Sequence, residues 1–187
     1  MNKKEENNII EKCQKGDLGD FALIYDIYVD KIYRYIYYKT FNKDLTEDLT
    51  SDAFFKAMDK IDTFNPSKGN FSSWLYKIAL NTVRDYYRTK HESMNVEDFW
   101  GVDSGDDINR KIENNYDLSR VKEYMQVLNP EQREIVLLRL WHGLSYDEIA
   151  SIVDKKEQNC RVIFHRTIKT MRKDIAIALL AIFFISM

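Results

Sequence analysis

The chain has 187 residues, 44% of them hydrophobic, which is enough apolar material for one large or two small packed domains and excludes a chain too polar to fold. Six glycines and two prolines are few, and together with long helix-period runs they exclude a turn-rich β scaffold in favour of an all-α fold. A formal net charge of −2 does not exclude nucleic acid, because the charge is divided: 92–117 holds eight acids and two bases, whereas 155–173 holds seven bases and one acid.

The start, MNKKEENNII, is charged and has no apolar h-region, so no signal peptide is expected and the chain is read as cytoplasmic. A frayed start at 1–8 is expected, then one or two helical turns at 9–15, broken by Gly16 and Asp17. Residues 21–40 form a long helix candidate. Phe21, Ile24, Tyr25, Tyr28, Ile32, Tyr35 and Ile36 recur at three and four and mark its packed face. The remaining tyrosines suit either core cover or an interface. A turn at 42–44 leads to a helix capped by Thr46, with Leu49, Ala53, Phe54, Ala57, Met58 and Ile61 inward. Asp48, Asp52, Phe55, Lys56 and Asp59 then lie outside. An exposed Phe55 between carboxylates suits a basic protein partner, although the same pattern also describes a solvated helix face.

Residues 65–70 (NPSKGN) are the clearest loop of this half. A helix follows over 71–88. Trp74, Leu75, Ile78, Ala79 and Val83 are its apolar stripe, while Lys77, Asn81, Arg84, Tyr86, Tyr87, Arg88 and Lys90 interleave bases with aromatics. Cations that track phosphates beside rings that stack on bases fit single-stranded nucleic acid, and a wet basic face on a core helix fits equally. Residues 92–117 read as an acidic linker with little core of its own.

The second half opens with a helix over 118–128, with Leu118, Val121, Met125 and Leu128 inward. Asn129 caps the next helix, with Pro130 at its first position and Gln132 completing a capping box. His142 and Gly143 end it. Ser145 and Glu148 form a second capping box, followed by Ile149, Ala150, Ile152 and Val153 on a short buried face. After a turn at 154–156, a last helix begins near Glu157. Its inward residues are Cys160, Ile163, Phe164, Thr167, Ile168 and Met171, and its opposite face carries Gln158, Arg161, Val162, His165, Arg166 and Lys169. This is a helix-turn-helix pattern with a polar, basic second helix for the major groove; plain packing of two short helices is the other reading of the same residues. Cys13 and Cys160 form no CxxC and are read as reduced thiols. HExxH, P-loop and GxSxG patterns are lacking, so no catalytic residue, cofactor or metal is expected. The end, IAIALLAIFFI over 175–185, is too short for a bilayer span of about 20 residues, and suits self-packing, a partner, or a membrane surface or membrane-bound regulator.

Three stretches, in order, resemble the extracytoplasmic-function group of bacterial sigma factors: TEDLTSDAFFKAM (46–58), FSSWLYKIALNTVRDYYR (71–88) and LNPEQREIVLLRLWHGLSYDEIASIV (128–153). The resemblance implies two small helical domains joined by an acidic linker: a region 2-like domain at 1–91, the linker at 92–117, a four-helix region 4-like domain at 118–173, and a tail at 174–187. It implies a monomer when free that binds the clamp and flap of core RNA polymerase, recognises −35 and −10 promoter elements and promotes melting. An anti-sigma partner is also implied. Asp48, Leu49, Asp52 and Phe55 match positions that dock on polymerase. Asn65, Lys68, Asn70, Lys77, Asn81, Arg84, Tyr86, Tyr87 and Arg88 match the downstream, melting region, where capture of an extruded base offsets its unstacking. Arg161, His165 and Arg166, with Gln158 and Val162, match the upstream-element reader, and Lys156, Lys169 and Arg172 fall on phosphates. The linker resembles the segment that runs near the RNA exit path, its carboxylates imitating RNA phosphates. The family's usual turn glycine is Asp154 here. A helix-turn-helix repressor or activator that works without polymerase is the alternative function.

Overall fold

The computed structural model describes residues 3–90, 125 and 127–171. The acidic linker, the region around Leu118 and Val121, Arg172 and the apolar tail lie outside the described residues.

Every element among the described residues is helical. The first half comprises α1 (Lys3–Gln14), a 3-10 turn (Leu18–Asp20), α2 (Phe21–Thr40), α3 (Lys43–Asp59), a second 3-10 turn (Ile61–Thr63) and α4 (Phe71–Lys90). The second half comprises α5 (Pro130–Val136), a π turn (Leu137–Trp141), α6 (Tyr146–Val153) and α7 (Glu157–Met171). No described helix is long and apolar enough to cross a membrane.

The apolar periodicity of α2 and α4 explains their packing: α3 lies against both, and Ile24, Ile32, Tyr35, Ile36, Ala53, Ala57, Leu75 and Ala79 fill the space between them. The α2 face follows the expected spacing except at Tyr25, which is 41% exposed and meets Phe54 edge-on at 4.8 Å. In the second half, α7 packs on α5 and α6 through Cys160 and Thr167, with Ile163 and Phe164 partly buried. Asn129 and Ser145 each make a complete capping box, with Gln132 and Glu148 respectively, so both helices start where the sequence places them.

Two starts differ from expectation. α1 begins at Lys3 rather than near Ile9. The Tyr28 hydroxyl donates to Glu6 at 2.5 Å, and Gln14 donates to the carbonyls of Ile61 and Phe64 at 3.0 and 2.8 Å, so contacts distant in sequence hold the helix. α3 is capped by Asn42, whose side chain accepts from the Leu45 amide at 3.0 Å, and not by Thr46. Thr46 lies buried inside α3, where its hydroxyl donates back to the Asn42 carbonyl at 2.6 Å.

The two halves pack together, with α6 lying on α4 and one core running through both. His142 sits at the centre of the contact, edge-on to Tyr35 at 5.5 Å and to Tyr76 at 5.2 Å, with its Nδ1 at 2.9 Å from the Tyr76 hydroxyl. Tyr38 and Trp141 add a ring contact at 6.0 Å.

Candidate nucleic-acid and protein interfaces

Three surfaces carry the residues singled out in the sequence. The first lies on α3. Phe55 is 67% exposed, and Asp48 and Asp52 are exposed with it. Asp52 pairs with Lys56 at 2.9 Å one turn on, a solvated i,i+4 contact of small energy. Leu49 is buried at 5% exposure, as its inward spacing predicts, so the docking position that the resemblance implies for it is corrected: it supports this surface from behind. Phe55 borders an open groove of about 410 Å³ lined by Leu18, Phe21, Tyr25, Phe54 and Met58 among others. Leu18 and Tyr25 were not legible as surface residues. Tyr25 sits at the margin of the α2 stripe, where spacing alone puts it inside. An exposed apolar patch rimmed by carboxylates is suited to bind a partner protein.

The second surface is the loop 65–70 with α4. Asn65 closes an Asx turn, its Oδ1 accepting from the Ser67 amide at 2.9 Å, and Lys68 is exposed beside it. Asn70 Oδ1 accepts from the Ser73 amide at 2.8 Å and so caps α4. Asn81 and Arg88 are exposed, Arg84 and Tyr86 half-buried, and Arg88 pairs with Asp85 at 2.9 Å. Lys90 lies over the Tyr86 ring at 5.4 Å. Tyr87 is the correction here: at 1% exposure it belongs to the core, although it was expected to face nucleic acid. Its neighbour Tyr86 meets it edge-on at 5.2 Å and keeps a half-buried ring at this end of α4.

Part of this second surface is already occupied. Asn70 Nδ2 donates to Glu148 Oε1 at 2.6 Å, and Lys77 Nζ donates to Asp154 Oδ1 at 2.5 Å and to the Ser151 carbonyl at 3.3 Å. Nearby, the buried carboxylate of Glu134 on α5 accepts from the Tyr35 hydroxyl at 2.5 Å and pairs with Lys39. Burial, and next the Glu134 charge, hold the Tyr35 hydroxyl well above the usual tyrosine range. Burial also raises Tyr76. For His142, burial and then the positive charges of Arg34 and Lys39 push the imidazole down to about 3, so it is neutral at physiological pH. Glu134 and His142 lie within the third family-like stretch, but nothing local marks them for burial; their contacts with Tyr35, Lys39 and Tyr76 come from the other half.

The third surface is α7. Gln158, Arg161, Val162, His165, Arg166 and Lys169 are all exposed, on one face opposite Cys160 and Thr167. Lys156 is exposed at the preceding turn. That turn closes on Asp154, whose φ of 55° is left-handed and accounts for the glycine usual in such turns. Arg161 donates to Glu157 at 2.6 Å and lies over the Tyr146 ring at 5.2 Å, while Arg139 covers the same ring at 4.8 Å. Tyr146 was not singled out in the sequence. It also meets Phe164 at 5.8 Å and His165 at 6.3 Å, so one ring touches two of the candidate readers.

Two family models match: "Sigma-70 region 2" over 24–92 and "Sigma-70, region 4" over 118–171. Among curated relatives, the chain is 33% identical over 172 residues to "ECF RNA polymerase sigma factor BldN" of Streptomyces coelicolor, covering 88% of this chain but 64% of that one. It is 30% identical over 158 residues to "ECF RNA polymerase sigma-E factor" of Escherichia coli, covering 78% of this chain and 81% of that one. It is 43% identical over 81 residues to "ECF RNA polymerase sigma factor SigW" of Bacillus subtilis, covering 43% of each. In fold, it matches CnrH, solved in complex with the cytosolic domain of CnrY, with a TM-score of 0.66 at 19% identity, over 89% of this chain and 96% of that one. It also matches the sigma factor RpoE of Bartonella quintana, solved with the anti-sigma factor NepR, with a TM-score of 0.60 at 19% identity, over 82% of this chain and 95% of that one.

Proposed function

Because the chain belongs to the extracytoplasmic-function family of RNA polymerase sigma factors, we propose that it brings core polymerase to promoters, reads two promoter elements and helps to open the DNA. It acts inside the cell as a monomer until polymerase or an anti-sigma protein binds it, and catalysis belongs to the polymerase. The domain boundaries follow the linker at 92–117.

The observation that supports this reading most is the α7 face: six exposed side chains, polar or basic apart from Val162, seated on a packed helix behind a left-handed turn. A helix presented in this way enters the major groove. Arg161 and Arg166 can read guanine edges with two donors each, Val162 can meet a thymine methyl, and Lys156 and Lys169 set register on phosphates. On α4 and its loop, Asn65, Lys68, Asn70, Lys77, Asn81, Arg84, Tyr86 and Arg88 form the surface for the melted strand. On α3, Phe55 with Asp48 and Asp52 docks polymerase, and the adjoining groove receives an apolar side chain of that partner.

A repressor working without polymerase would leave the match over 24–92 without a task. Replacing Phe55 by Ala separates the two readings. Loss of at least tenfold in affinity for core polymerase, with duplex DNA binding unchanged, is expected; unchanged polymerase affinity would count against the docking role.

A further inference from the structure

Resting on that reading, we infer that Glu157 is a base reader paired with Arg161: Arg161 takes a guanine, and Glu157 accepts from the exocyclic amine of a cytosine in the next base pair. The charge pattern points there first. Of the charged side chains over 155–173, seven are bases and Glu157 is the one acid. Duplex DNA carries a negative charge about every 1.7 Å along its axis, so a carboxylate on the face that meets it is repelled unless a donor matches it. Glu157 is on that face. It opens α7 and is exposed, as are Gln158, Arg161 and His165. In a helix-turn-helix, the first residues of the second helix are the ones that meet base edges. A carboxylate in a first turn also steadies the helix start, and that role predicts no preference among bases.

The geometry fits two edges read together. Arg161 Nη2 donates to Glu157 Oε1 at 2.6 Å, and the guanidinium lies over the Tyr146 ring at 5.2 Å. Arg139 lies over the same ring at 4.8 Å and is itself fixed by donating from Nη1 to the Leu144 carbonyl at 2.7 Å. The bond to Glu157 uses one guanidinium N–H and one carboxylate oxygen. Arg161 keeps two donors for guanine O6 and N7, and Glu157 keeps Oε2 for an amine. Successive bases stack about 3.4 Å apart, which two side chains already in contact can span. Cytosine offers its N4 amine in the major groove, whereas thymine offers the acceptor O4 there, which a carboxylate repels. The two side chains are 56% and 46% exposed, so their ion pair is weak in water and both turn to the bases at little cost.

The test uses the full chain with core polymerase on duplexes randomised across the upstream element. The native protein is expected to select cytosine in the pair next to the guanine whose selection Arg161→Ala abolishes. Duplexes with cytosine or thymine at that position then measure the preference. Glu157→Gln removes the charge and keeps the size, and should lower the preference for cytosine over thymine at least fivefold, with selection at the other positions unchanged. Glu157→Asp keeps the first-turn charge but holds it further from the base. Should Glu157→Gln fail to fold, Glu157→Asp decides: a lowered cytosine preference supports the reader, and an unchanged one overturns it. A uniform loss over all sequences in Glu157→Gln, or a native protein that selects no cytosine beside that guanine, overturns the inference. Either result assigns Glu157 to the helix start alone and leaves the sigma-factor reading intact. If the native protein with polymerase selects no upstream sequence at all, the underlying reading fails and the inference with it.

Discussion

The two helices offered to DNA differ in what already touches them. On α7 the candidate readers contact near neighbours, Glu157 on the preceding turn and the Tyr146 ring at the start of α6, and their outer face is open. On α4 the corresponding polar groups are held by residues more than seventy positions away, Glu148 and Asp154. A surface built from local contacts is ready in the free protein. A surface completed by distant residues is set by how the two halves pack, and short-range sequence patterns do not reveal it.

That contrast can be broken most severely at Arg161. Arg161→Ala removes a bidentate donor from the open face, and should cost about 1–3 kcal/mol in upstream-element affinity and relax preference at one base position. A uniform loss over all sequences in a binding-site selection would reassign Arg161 to phosphate.

The occupied side should answer to pH instead. His142 is held neutral with its folded value down to about 3, against an ordinary value of 6.5. The unfolded chain therefore takes up the proton first, and the stability that His142 confers is complete above about pH 6.5 and lost as pH falls towards about 3. Between about pH 7 and about pH 5 the loss should be about 2 kcal/mol. Urea unfolding of the native chain and of His142→Gln at both values would measure it, and an equal slope in the two proteins would contradict the assignment.

The smallest effect concerns the ring that orders the open face. Tyr146→Ala should weaken upstream-element binding by about 1 kcal/mol through lost cation–π contact with Arg161, while Tyr146→Phe keeps most of it. Equal losses for both would point to the hydroxyl rather than the ring.

Local chemistry was legible in the sequence. The span of α2, both capping boxes, the two faces of α7 and the exposure of Phe55 follow from periodicity and short-range hydrogen bonding. What was not legible depends on distant partners. α1 extends to Lys3 because Tyr28 holds Glu6, twenty-two positions on. Asn42 and Thr46 are both good caps in isolation, and burial of Thr46 against Thr40, at 2.8 Å between hydroxyls, decides between them. Tyr87 reads as a stacking residue beside Arg88, but the chain folds it inward. Glu134 lies in a recognisable stretch, but its burial depends on Tyr35 and Lys39, about a hundred positions earlier.

Run-off transcription asks whether this protein directs polymerase to a promoter. Core bacterial polymerase is supplied with DNA from upstream of this protein's own gene, with and without the protein. A discrete transcript that depends on the protein, its start site locating both elements, is the predicted result. Absence of any transcript while the protein binds the same duplex by itself would contradict the account and favour a repressor.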